Sequence, residues 1–128
     1  MPTQFVDVGK VEDINEGVAL PVVAAGREII VVLWRGQVYA LRNICPHQSQ
    51  SFITGTIHDL IMRGDSVGDL VVKRDAPVIK CPWHSFQFDL RSGKCVNDVR
   101  LRTRAYNVAI RGDRILVEMV VDKVGSTE

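Results

Sequence analysis

The apolar residues of this chain fall in short β-branched or aromatic runs, and no long stretch repeats them with a helical period. Arg27 to Trp34 and Gln37 to Arg42 meet at Arg35-Gly36, and Ala105 to Arg111 and Arg114 to Val120 meet at Gly112-Asp113. A glycine-bearing dipeptide between two such runs signals a hairpin. Phe86 to Leu90 and Lys94 to Val96 flank Arg91-Ser92-Gly93 and suggest a third, smaller hairpin; Phe5 to Val11 and Val18 to Ala24 read as further strands. Only Thr56 to Met62 is expected to form a short turn of helix. There is no internal repeat and no low-complexity linker, so the pattern predicts one all-β domain over residues 1–128, with an antiparallel sandwich or barrel core and a frayed end at 125–128.

At 128 residues such a domain can bury a core without disulfide staples. A formal net charge of +1 argues against a nucleic-acid or membrane-surface binder, both of which use a strong basic excess. The longest apolar run, Ile29 to Trp34, is too short to cross a bilayer. The opening M-P-T-Q-F-V-D-V-G-K has no basic segment followed by an apolar one, so no signal peptide is expected and the cytoplasm is the expected location. Three cysteines without framework spacing do not suggest a disulfide scaffold. In a reducing compartment, paired Cys and His more often mean metal binding or catalysis.

Two such pairs exist. Cys45 and His47 stand in I-C-P-H-Q-S, Cys81 and His84 in C-P-W-H-S-F, and both fall at expected strand ends. Two thiolates and two imidazoles form a donor set of borderline softness that suits zinc or an iron–sulfur cluster. A finger-type zinc site keeps its cysteines together and its histidines together. Here each loop offers one of each. Two similar loops facing each other can place both thiolates on one metal and both imidazoles on another, the arrangement a [2Fe–2S] cluster with two histidines requires.

The segments C-P-H and C-P-W-H, the latter followed by F-D-L-R-S-G-K, resemble the Rieske iron–sulfur family and particularly its small soluble ferredoxins. V-Y-A-L-R-N-I before the first pair and the closing hairpin before Met119 are similar too, so the likeness runs from Phe5 to Met119. The resemblance implies a Rieske-like antiparallel β-sandwich or barrel with a small cluster-binding subdomain of two loops, at about residues 43–97. It implies one [2Fe–2S] cluster per chain, with Cys45 and Cys81 on the inner iron and His47 and His84 on the outer. It also implies an electron carrier rather than an enzyme, working between a flavin- or NAD(P)H-linked reductase and a terminal enzyme such as a Rieske-type oxygenase. The alternatives are a small iron–sulfur subunit of a larger redox complex and a zinc-held binding module. A mononuclear-iron oxygenase is excluded, because with His47 and His84 engaged only His58 remains.

Several positions depart from the high-potential members of the family. Gln50 and Trp83 stand where those proteins carry a disulfide, and Phe86 and Phe88 where hydroxyl donors reach the cluster sulfurs. Fewer donors stabilise the reduced state less, which points to the low end of a range of about −150 to +300 mV. Ser49 and Ser85 replace the usual glycines. The long spacer suggests an inserted excursion at about 55–78, with a hairpin turn near Gly64-Asp65 or Gly68-Asp69. Cys95 reads as a buried small hydrophobe, His58 as a solvated loop residue, and Trp83, Phe86 and Phe88 as packing around the cluster. Arg100, Arg102 and Arg104 would share one solvated face of an extended segment.

Overall fold

A computed structural model describes residues 2–44, 51–52, 55–63, 68, 70–81 and 86–120. The described chain is almost entirely β, with one 3₁₀ turn at Val11–Asp13. Its strands are β1 (Thr3–Lys10), β2 (Leu20–Ala24), β3 (Arg27–Trp34), β4 (Gln37–Arg42), β5 (Thr56–Arg63), β6 (Leu70–Lys80), β7 (Gln87–Asp89), β8 (Ala105–Tyr106), β9 (Val108–Arg111) and β10 (Arg114–Val120). They form three antiparallel sheets ordered β1-β10-β9, β2-β3-β4-β8 and β5-β6-β7.

The unbroken apolar run in β3 follows from its place in the middle layer. Ile29 and Val31 belong to a core shared with Ile115, Val117 and Met119 of β10, whereas Ile30 and Val32 belong to a second core with Ile79, Phe88 and Leu90. Alternate side chains point to opposite faces, so a strand covered on both faces has no polar side to show. β4 alternates in the same way, with Ala40 in the first core and Leu41 in the second. Burying a side chain of this size contributes roughly 1.5–3 kcal/mol, which makes β3 the strand least tolerant of a polar residue.

The hairpins at Arg35-Gly36 and Gly112-Asp113 form as the turn residues predict. Arg35 has φ +51° and Gly36 φ +78°, so both turn residues are left-handed, the geometry that matches the twist of a two-residue hairpin. The expected strand from Ala105 to Arg111 is instead two. β8 pairs with β4 and β9 with β10, and the chain changes sheet at Asn107, which donates from Nδ2 to Glu118 Oε1 (2.9 Å) and accepts from the Glu118 N–H (2.9 Å).

The helical turn expected at Thr56 to Met62 is strand β5. Thr56 is exposed, Ile57 buried, His58 half-buried and Asp59 buried, an alternation of period two set by pairing with β6. His58 is therefore a strand residue rather than a loop one, with Nδ1 2.8 Å from the Asp59 carbonyl oxygen. β5 and β6 make a long hairpin with a bulge after Asp59, and the pairing of Arg63 with Leu70 brackets both expected turn positions. Lys94 to Val96 is not a full strand: only Cys95 bridges Phe88, while Lys94 turns to bridge Arg102. The expected frayed end, 125–128, lies outside the described residues.

Candidate metal centre

Cys81 follows directly on the last residue of β6, and it is 2% exposed within the second core. Its N–H donates to the Phe86 carbonyl at 2.7 Å, closing the link of four residues that holds His84. The flanks of this link are apolar: Phe88 is fully buried and Phe86 packs against the same cluster. Phe52 meets Phe88 edge-on with ring centroids 5.3 Å apart. Cys81 is the one expected ligand among the described residues; Cys45, His47 and His84 lie outside them, as do Ser49, Gln50, Trp83 and Ser85.

The segment carrying Cys45 and His47 has a described base as well. Asn43 is 5% exposed at the end of β4, and its Oδ1 accepts from the Phe52 N–H (2.9 Å) and from the Ser51 hydroxyl (3.0 Å). One amide thus joins the two ends of the chain link between 43 and 52. The Asn43 backbone N–H donates to the Glu28 carbonyl (3.1 Å), and the buried Thr103 hydroxyl donates toward Ile44 O (3.2 Å). Both loop bases are fastened to each other: the Gly55 N–H donates to Phe52 O (2.7 Å), and Gly55 lies so close to Lys80, the neighbour of Cys81, that a Cβ there would stand 2.6 Å from the Lys80 carbonyl oxygen.

Behind Cys81 the hairpin F-D-L-R-S-G-K is organised by Asp89. Its Oδ1 accepts from the N–H groups of Arg91 (2.7 Å) and Ser92 (3.3 Å), and its Oδ2 from Arg91 Nη2 (2.9 Å). Burial raises the affinity of this carboxyl for a proton, but the Arg91 guanidinium and the two N–H donors outweigh it and hold its pKa below the usual value. Gly93 has φ +80°, and a Cβ there would overlap the Thr103 carbonyl oxygen, so only glycine fits.

A buried carboxylate anchors the β5–β6 hairpin. Asp59, 7% exposed, accepts from Trp34 Nε1 (2.9 Å) and from Arg35 Nη2 (2.6 Å) and Nε (3.1 Å). The carboxylate fixes a residue already held at positive φ, and so ties β5 to the β3–β4 turn. The roles of Asn43, Asp59 and Thr103 were not read from the sequence. Asn43 stands in V-Y-A-L-R-N-I, where a small polar residue between a strand and a Cys/His loop is the signal for a loop-closing side chain. Asp59 offers no comparable signal, because its partners lie a whole hairpin away. Cys95 is buried in the second core, as expected of a small hydrophobe.

The donor chemistry fits a metal centre: a soft sulfur in an apolar collar at the end of a sheet, with a Cys/His link closed at its base on either side. The arrangement is that of a small antiparallel β protein with a buried thiol at the end of one sheet. A profile of the Rieske [2Fe–2S] domain matches residues 4–110, and the chain belongs to that family, with a [2Fe–2S] cluster as its cofactor. Among relatives, the ferredoxin component of the naphthalene 1,2-dioxygenase system of Pseudomonas putida is 25% identical over 120 residues, covering 93% of this chain and 99% of that one. The ferredoxin of carbazole 1,9a-dioxygenase from Nocardioides aromaticivorans IC177 superposes with a TM-score of 0.70 at 30% identity, covering 89% of this chain and 96% of that one. The small subunit assigned to an NADH-dependent nitrite reductase of Mycobacterium tuberculosis shares the fold, with a TM-score of 0.76 at 19% identity and coverage of 95% and 100%. Among the described residues no helix is long and apolar enough to cross a membrane.

Proposed function

We propose that this chain is a one-electron carrier, a Rieske-type ferredoxin that takes electrons from a flavin- or NAD(P)H-linked reductase and passes them to a terminal oxygenase. It is a carrier and not itself a catalyst. Cys45 and Cys81 hold the inner iron and His47 and His84 the outer one, within a single domain whose cluster-bearing part is about 43–97. The observation that carries the reading is the joined base of the two loops, where Asn43, Phe52, Gly55 and Lys80 connect the start of one Cys/His segment to the start of the other. Supporting it are the ferredoxin components of dioxygenase systems to which the chain is similar.

The cluster supplies reversible one-electron chemistry, with two neutral imidazoles in place of two thiolates and hence a higher potential than an all-cysteine centre. The chain's own residues set the surroundings. Phe52, Phe86 and Phe88 exclude water from the inner side, and Phe86 and Phe88 offer no hydroxyl to a cluster sulfur, which favours the low end of the family's potentials. Asn43 and the Cys81–Phe86 hydrogen bond hold the loop ends, which limits rearrangement when the charge changes.

The test is iron and acid-labile sulfide on anaerobically purified protein, with EPR before and after dithionite. About two irons and two sulfides per chain, and a reduced signal with average g below the free-electron value, are expected. Zinc without sulfide would overturn the reading in favour of a Cys/His binding module.

A further inference from the structure

Four arginines gather beside the base of the first Cys/His loop. Arg42, Arg102 and Arg104 line an open cleft of about 680 Å³ together with Ile44 and Thr103. Arg42 and Arg104 also line an adjoining hollow of about 240 Å³, shared with Arg27 and Tyr106. Among the described residues neither space is lined by an aspartate or a glutamate. The ion pairs among the described residues involve Arg35, Arg91, Arg100 and Arg114, and none of these four. All four are exposed. The alternating arginines of the sequence thus divide: Arg100 is spent on Asp98 (2.9 Å), while Arg102 and Arg104 face the cleft. In a chain of formal net charge +1, this is a local concentration of positive charge.

The backbone that carries the cleft arginines is fixed by the Arg42 N–H, which donates to Arg104 O (2.9 Å), and two of the four guanidinium groups have partners: that of Arg104 lies 5.5 Å from the centroid of the Tyr106 ring, and Arg27 Nη1 donates to Val120 O (3.3 Å). The Tyr106 hydroxyl is buried and has no hydrogen-bond partner among the described residues.

We propose that this cleft is the docking site for an acidic surface of a partner protein, whose carboxylates are received by Arg42, Arg102 and Arg104. A protein surface suits it better than a small anion for two reasons: the cleft is wide and open, and it reaches Ile44, the residue that leads into the first Cys/His segment of the sequence. The proposal deepens the electron-carrier reading and rests on it, naming the charge of the protein that exchanges the electron. Arginines on the rim of such a contact speed encounter and set orientation, and their effect falls with salt.

The cluster-loaded protein is titrated with an oligo-glutamate peptide at low ionic strength by calorimetry, with inorganic phosphate as a second probe. Binding of the peptide is expected, weakened by added salt and weakened roughly tenfold or more in Arg42→Glu/Arg104→Glu. Lys10→Glu/Arg111→Glu carries the same net charge change on exposed residues at the opposite end of β10 from Val120, and should bind as the native protein does. Equal binding by the cleft variant, or equal loss in both variants, overturns the proposal. Binding of phosphate without binding of the peptide also overturns it, in favour of a small-anion pocket. Iron and sulfide are counted on the same samples. If the peptide binds in the cleft of a protein that proves to hold no cluster, the carrier reading fails while the acidic-partner site stands.

Discussion

Against the β1-β10-β9 sheet, the middle layer is packed by Ile14, Ala24, Ile29, Val31, Ala40, Ile115, Val117 and Met119, and among the described residues no polar residue is buried with them, the one buried polar atom beside them being the hydroxyl of the half-buried Tyr106. On its other face it supports β5-β6-β7 and the Cys81 end of the molecule, and there the three buried polar side chains of the described chain all do their work: Asn43, Asp59 and Thr103. The first region is strand against strand, so its backbone groups are satisfied by ladders. The second must hold loop ends, whose N–H and C=O groups have no neighbouring strand. Side chains reach across to supply the missing partners, at Phe52 N, at Ile44 O and at the Trp34 indole. One face of the middle sheet is sealed by apolar area, the other closed by a few directed hydrogen bonds. The second should fail earlier and more locally.

Four changes would test that contrast. Gly93→Ala is expected to have the largest effect, about 3 kcal/mol or more in urea unfolding, because it combines left-handed backbone strain with a contact against the rigid backbone at Thr103. A loss under about 1 kcal/mol would mean that the F-D-L-R-S-G-K turn is looser than its geometry. Asp59→Ala leaves the Trp34 indole and the Arg35 guanidinium without their acceptor. Since Arg35 is 45% exposed and water can take up part of the loss, about 2 kcal/mol is expected. Hydrogen exchange should show the β5–β6 amides opening while those of β1 and β10 stay protected. Uniform loss of protection would erase the distinction between the two regions.

Asn43→Ala removes the acceptor shared by Ser51 and Phe52 and leaves a buried N–H unpaired, at a cost of about 1–2 kcal/mol. The specific readout is bleaching of the visible absorption under chelator, which should run several-fold faster than in a variant of equal stability altered in the other core, such as Val117→Ala. Equal bleaching rates would reduce Asn43 to an ordinary stabilising residue.

The smallest effect is the acid limb. The folded pKa of Asp89 lies below its ordinary value of 3.8, so between the two values the unfolded chain binds more protons and stability rises with pH. Its contribution is complete above the ordinary value and is lost as pH falls through the folded one. Asp89→Asn should flatten this part of the stability curve. Asp7, lowered by its hydrogen bonds from Arg114, lies on the other sheet in an ion pair exposed on both sides, and its replacement should change the curve less. A larger acid effect at Asp7 than at Asp89 would count against the polar closure of the Cys81 side.

Local signals in the chain were enough to place β3, β4 and β10 and the turns that bound them, and to point to a metal centre. β3, β4 and β10 run over the residues their apolar runs predict, because a run bounded by a two-residue glycine turn carries its period and its limits locally. Scarce thiols and imidazoles, paired twice, signalled a metal centre for the same reason: ligand type and short spacing are local facts. What the tertiary structure alone decided is contact between distant residues. It made β5 a strand by pairing it with β6, and split the segment after Ala105 between two sheets. It set Asn43 across a loop, Asp59 under a distant turn, and Arg42 beside Arg104. A side chain's period names the face it occupies, but its partner is fixed only when two strands far apart in the chain settle into register.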